Sequence, residues 1–245
     1  MGMLAFATSV LMAWALATLL ASPPAADRLP AADFFPLAMH NTWTHEVRFS
    51  GGDYHYYMTE TVIKDNWPLL GQQSYVVAED YEPLTDRAPE ARSTVAYFRK
   101  NGFLYRYPWL DSEGDRIWDT RLGQGLDQIM PSPFVERTRW RMDLSTQVMA
   151  SGGQSSSSAT AWIDPSAIQV PAGTFRNCLR VETLTVSFVP DPRKKSAEFA
   201  LRHTEWYARG VGLVKAISSE GTAQKSVTRL LTYRIREKEH PNHHD

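Results

Sequence analysis

The sequence has almost no means of cross-linking itself: its 245 residues include one cysteine, Cys178. A lone thiol forms no intramolecular disulfide and no thiolate zinc site, so packing and hydrogen bonding must hold the fold. Neither sign of charge prevails. Lys and Arg number 26 against 27 Asp and Glu, a formal net charge of −1, which supplies no field for gathering polyanions and argues against nucleic acid as a partner. Reaction motifs are missing as well. The chain has no Gly-x-Ser-x-Gly, no His-Glu-x-x-His and no Walker loop, so neither a catalytic residue nor a metal or cofactor site is assigned. Gly210-Val211-Gly212 is a fragment of a dinucleotide fingerprint, but strand-like residues follow where a helix must begin, and it reads as a turn.

Long apolar runs are absent except at the start. Met3 to Ala21 carries no charge, and Ser22-Pro23-Pro24-Ala25-Ala26 then supplies helix breakers and small residues. Residues 1–26 read as a signal peptide. An uncleaved anchor is the alternative, because no Lys or Arg precedes the run and its length approaches a bilayer span. No cysteine follows to accept a bacterial lipid. The expected location is periplasmic or secreted, with membrane proximity if the segment is retained.

What the sequence has in quantity is alternation with period two. In Thr42 to Ser50, Trp43, His45, Val47 and Phe49 share one face and Thr44, Glu46, Arg48 and Ser50 the other. Similar stretches follow at Tyr54 to Ile63, Gln73 to Tyr81, Ser93 to Trp109, Thr138 to Met149, Ala159 to Pro165, Phe175 to Val189, Glu198 to Tyr207, Gly212 to Ser219 and Lys225 to Arg236. Asn101-Gly102 is the preferred pair for a two-residue type I′ turn, which sets Lys100 opposite Phe103, Phe98 opposite Tyr105 and Ala96 opposite Tyr107. That register gathers Phe98, Tyr105 and Tyr107 on the expected core face, with Tyr97/Arg106 and Arg99/Leu104 behind it. Ser155 to Ser158, after Gly152-Gly153, read as a flexible loop tip, and Arg116 to Leu126 as a possible short helix.

The fold expected is all-β: a single, strongly curved antiparallel sheet or half-open barrel of about ten strands with little helix. Its domain spans 42–236, after a lead-in over 27–41 and before a disordered tail, 237–245, containing His240, His243 and His244. Cys178 reads as a small buried thiol. His40 and His45 are five apart and fall on opposite strand faces, whereas His203 and Glu205 share one. The aromatics exceed the needs of a modest core, with eight Trp, ten Tyr and ten Phe. They make a wide apolar cleft the sharper expectation, with Trp43, Val47, Phe49, Phe98, Tyr105, Tyr107 and Trp140 as candidate ligand-lining residues.

Three segments resemble a group of bacterial secreted proteins of uncharacterised function: Phe34-Phe35-Pro36-Leu37 with Asn41-Thr42-Trp43-Thr44-His45-Glu46, Val170 to Glu182, and Trp206 to Lys215. His40 stands where that pattern has Gly. Such proteins are similar in architecture to periplasmic lipoprotein carriers of the LolA/LolB type, and the resemblance implies a curved sheet enclosing an apolar cavity for acyl chains. It implies no catalytic residues. The leading expectation is therefore a non-enzymatic binder of a hydrophobic small molecule, lipid or lipidated partner. Its competitors are an interaction domain with a filled core and a hydrolase with an unrecognised constellation, for which His203 is the best candidate residue.

Overall fold

In a computed structural model, described for residues 34–51, 54–84, 91–108, 110, 127–132, 134–135, 139–142, 154–189 and 197–236, the alternating stretches are strands. The signal or anchor segment, the 116–126 stretch and the histidine tail lie outside the described residues.

Strands β1 (Thr42–Phe49), β2 (His55–Leu69), β3 (Gln72–Pro83), β4 (Ala91–Lys100), β5 (Phe103–Tyr107) and β6 (Asp127–Pro131) run up and down in chain order. Strands β7 (Arg139–Met142), β8 (Gln154–Asp164), β11 (Cys178–Val189), β12 (Ala197–Ala208), β13 (Gly212–Glu220) and β14 (Ala223–Arg234) do the same. The small hairpin of β9 (Ile168–Val170) and β10 (Gly173–Phe175) interrupts this second run. Antiparallel pairing of β14 with β1 joins the two halves into one 12-stranded sheet, order β6-β5-β4-β3-β2-β1-β14-β13-β12-β11-β8-β7. The sheet curls almost into a closed barrel and leaves one unsealed seam, between β6 and β7. The expected all-β, half-open barrel is thus the observed fold.

Two buried clusters lie on opposite faces of this sheet. The larger lines the barrel interior and includes Trp43, Val62, Val77, Tyr97, Leu179, Tyr207 and Leu230; Phe34 and the partly buried Phe35, Leu37 and Met39 of the lead-in pack against its end as a plug. The smaller comprises Leu69, Val76, Ala96, Phe98, Tyr107 and Leu110. It forms on the outside of β3, β4 and β5, where the far end of the long β2 supplies Ile63 and Trp67 as a cover. Bulges in β2 between Val62 and Lys64 and between Lys64 and Trp67 let that strand bend.

The structure keeps the register read at Asn101-Gly102 and reverses its facing. Phe98 pairs with Tyr105 and Ala96 with Tyr107, as the turn requires, and Asn101 and Gly102 have φ of 50° and 78°. Yet Tyr97 and Arg106 are the pair that points into the barrel. Phe98 and Tyr107 are buried in the outer cluster instead. Alternation fixes which residues share a face, but a sheet buried on both sides gives no signal for which face is inside.

Other differences are local. Ser155 to Ser158 are strand rather than loop tip: they pair with Leu184 to Ser187 of β11, and Ser157 turns inward to share a 2.7 Å hydrogen bond with Thr185. Asn177, with φ of 53°, breaks the expected Phe175–Val189 strand into β10 and β11. In β14 the deeply buried residue is Leu230 rather than any of Val227, Leu231 or Tyr233, because a bulge opposite Thr44 and His45 shifts the alternation.

Replacing Gly102 with Val is expected to destabilise the protein by about 1 kcal/mol or more, since a β-branched residue resists a φ of 78°. Chemical denaturation measures it, and an unchanged midpoint would mean that the hairpin tolerates a different turn.

Candidate functional site: a charged cavity inside the barrel

A cavity of about 440 Å³ opens within the barrel. Its lining comes from inward-facing positions of strands on both halves of the sheet. The β1 row starts at Trp43, whose indole N–H donates to the Val211 carbonyl at 2.5 Å. That bond spans from β1 to the β12–β13 turn, and Gly212 makes room for it: with φ of 105°, its Cβ would meet the indole nitrogen at 3.1 Å. Trp43 lies opposite Glu60, which lies opposite Glu79, so one row across β1, β2 and β3 carries an aromatic and two carboxyls. Phe35 from the plug packs on Tyr97 with ring centroids 4.8 Å apart and on Tyr207 at 6.0 Å, closing the apolar floor.

Charge occupies the middle of the cavity. Glu79 accepts from Arg106 at 2.9 Å and from the hydroxyls of Tyr81 and Ser93, each at 2.8 Å. Burial acting alone would raise the Glu79 carboxyl, but Arg106 and these hydroxyls hold it below the usual range. Arg106 also faces Asp127 at 3.8 Å, though burial of Asp127 outweighs that attraction and raises its carboxyl. Across the barrel His203 Nε2 lies 3.3 Å from Glu205, and its Nδ1 is 2.7 Å from the Ser218 hydroxyl. Burial lowers His203, but Glu205 overcomes it, and the imidazole ends above its ordinary value.

Glu60 is in a different situation. Burial, then repulsion from Glu79, pushes its carboxyl up to about 8, with Arg106 pulling the other way. Its close neighbour is His45 Nδ1 at 3.4 Å. His45 is fully buried, and its Nε2–H donates to the Leu213 carbonyl at 3.0 Å. Nδ1 is then a bare acceptor with no hydrogen bond among the described residues. Burial lowers the imidazole to about 4. The two shifts agree: near neutrality the proton of this pair resides on Glu60, opposite a neutral ring.

Of the seven candidate lining residues, Trp43 lines this cavity. Val47 is buried on the same strand outside the cavity lining. Phe49 is 41% exposed and contacts Tyr54 and Tyr56 near the β1–β2 turn. Phe98, Tyr105 and Tyr107 belong to the outer cluster, where Phe98 and Tyr105 stack at 5.6 Å. Trp140 lies on β7 opposite Ala159, and its side chain lies outside those described. Cys178 is a buried thiol, raised to about 11 by burial and by Asp164. His203 and Glu205 share the cavity face, as their spacing requires. Sequence reading missed Glu60, Glu79 and Arg106 as interior groups; their signal was an acid or arginine at the same parity as a buried Val or Tyr.

No family model matches the chain, and no curated protein matches it. Among solved structures, the fold resembles a "putative lipoprotein" from Parabacteroides distasonis, at 17% identity and a TM-score of 0.50, covering 82% of this chain and 98% of that one. A "putative exported protein with YmcC-like fold" from Bacteroides fragilis aligns at 12% identity and a TM-score of 0.45, with the same coverage. At such identities the first likeness concerns the fold alone.

Because a folded-state carboxyl raised to about 8 must give up its proton at a cost that the unfolded chain does not bear, Glu60 erodes stability as pH climbs from about 4.5 to about 8. Glu60→Gln is therefore expected to stabilise the protein, by on the order of a few kcal/mol near pH 8 and by much less near pH 5. Denaturation of both proteins across this range measures the difference. A gap that stays constant with pH would show that Glu60 titrates normally.

Proposed function

We propose that this is an exported, non-enzymatic binding protein that holds a hydrophobic small molecule, a lipid, or the acyl chain of a lipidated partner inside its barrel. The cavity within the barrel carries this reading. Its volume, about 440 Å³, falls in the range of small-molecule sites, and Phe35, Leu37, Trp43, Met58, Ile129 and Leu213 give it an apolar wall. An open space of this size supports binding over a filled-core interaction domain. Export is supported by the uncharged N-terminal run and is in keeping with the naming of the Parabacteroides distasonis chain as a lipoprotein. The LolA/LolB-type carriers are the architectural analogue: a curved antiparallel sheet around a space for acyl chains.

A second reading, hydrolysis, draws on the contact order Ser218, His203, Glu205 at 2.7 Å and 3.3 Å. Against it, Ser218 sits mid-strand in ladders with both β12 and β14, where backbone N–H groups are spent on neighbouring strands and do not converge on an oxyanion. Labelling by a fluorophosphonate probe that Ser218→Ala abolishes would favour this reading over binding.

Gentle purification followed by native mass spectrometry and lipid extraction is expected to reveal a bound apolar molecule. The neutral fluorophore N-phenyl-1-naphthylamine should bind the delipidated protein, and Met58→Trp, which fills the cavity, should weaken that binding about tenfold or more. Failure of both the extract and the probe would leave the cavity without a ligand role.

A further inference from the structure

The cavity that forms the proposed binding site is not uniformly apolar, and the excess inside it has one sign. Among the described residues four carboxyl groups line it, Glu60, Glu79, Asp127 and Glu205, against Arg106 and His203. The two basic groups are already engaged. Arg106 is shared between Glu79 at 2.9 Å and Asp127 at 3.8 Å, and His203 faces Glu205 at 3.3 Å. Glu60, by contrast, meets the His45 Nδ1 at 3.4 Å, an acceptor that has no hydrogen bond among the described residues. Two acceptors in that position need a donor between them. A proton on Glu60 serves there, and an ammonium ion that reaches Glu60 from the cavity can instead donate to the carboxylate and neutralise it.

The surroundings suit such a group. Trp43 is the cross-strand partner of Glu60, and Tyr97 and Tyr207 line the same space, so aromatic faces and hydroxyl oxygens stand where a cation would sit. Beyond them the Phe35 and Leu37 floor and Met58 offer an apolar wall to an attached chain.

From this arrangement we infer that the barrel selects amphiphiles with a cationic head, of the alkylammonium class, whose head docks on Glu60 from the cavity side, with the buried His45 behind that carboxyl, while the chain lies along the apolar wall. This rests on the cavity being a binding site. The ammonium takes the place of the Glu60 proton, so below about pH 8 each binding event releases one proton to solvent. Affinity therefore rises with pH until Glu60 is ionised in the free protein and then levels off. The other titratable and charged groups around Glu60 are His45 on β1, Glu79 and Tyr81 on β3, Tyr97 on β4, Arg106 on β5, Asp127 on β6, and His203, Glu205 and Tyr207 on β12. Loss of charge from His203 acts in the same direction, so the Glu60 contribution has to be isolated by substitution.

Isothermal titration of the purified, delipidated protein with decylammonium, decanol and decanoate separates head from chain. Decylammonium is expected to bind about tenfold or more tightly than decanol, with decanoate the weakest. Its affinity should increase by more than about tenfold, towards about fiftyfold for full exchange with a proton held at about 8, from about pH 6 to about pH 8, and Glu60→Gln should remove both the preference and most of that increase. Equal binding of the three probes, or a preference for decanoate, would overturn the charge selection while leaving the cavity a binding site. Binding of none would overturn the binding reading itself. If Glu60→Gln fails to fold, the pH profile of the unaltered protein still decides, because a flat decylammonium profile contradicts the exchange of ligand for proton.

Discussion

Everything in this molecule depends on the pairing of its first strand with its last. Each half of the sheet is a run of local hairpins, and either half alone would be an open, twisted sheet with one apolar face in water. The β1–β14 ladder, from Thr42 opposite Arg234 to Phe49 opposite Ser226, turns the two into opposing walls. Contacts between the halves then become interior. The Trp43 indole reaches Val211, and His45 reaches Leu213, each across 168 positions of sequence. On the outer face the same ladder is tied by Glu46, which accepts from Arg229 of β14, from Arg48 and from His55. These guanidinium and imidazole groups outweigh its burial and hold that carboxyl down near 2. Such long-range closure is slow to find and must be repaid by many contacts made together.

The inside of the barrel shows a balance between packing and solvation. A purely apolar lining would favour stability, yet Glu79, Arg106, Glu205 and His203 occupy inward positions and are accommodated by pairing with one another. Buried ion pairs of this kind add little net stability compared with apolar residues of similar size. They line the open space within the barrel, so their charges are presented to it.

How much of this could be read from the sequence follows from where periodicity carries information. The fold class, the succession of strand stretches along the chain and the Asn101-Gly102 register were legible, because turn chemistry and alternation act over a few residues. The facing of the β4–β5 hairpin was not, since both its faces are buried and Phe98/Tyr105 look as core-like as Tyr97. Ser155 to Ser158 lost their loop-like reading to a tertiary effect, the ladder with β11 and the Ser157–Thr185 hydrogen bond. Among the site residues, Trp43 was visible as a large apolar side chain on an alternating strand. Glu60 was hidden, because in sequence a carboxylate inside a barrel resembles one outside, and only the neighbours brought by β1 and β3 make it unusual.

The seam has a topological consequence. It falls between β6 and β7, which are consecutive along the chain, while the two ends of the domain meet, the Arg236 N–H donating to the Asn41 side chain at 2.9 Å. Cutting the chain between β6 and β7 and joining it near Asn41 and Arg236 would therefore sever no hydrogen-bonded strand pair. In that permuted order the molecule is a plain meander from β7 round to β6, and the long-range closure between first and last strands becomes an ordinary hairpin. The two orders differ only in which strand comes first along the domain, since β1, with its Trp43 and His45, keeps β14 and β2 as neighbours in both.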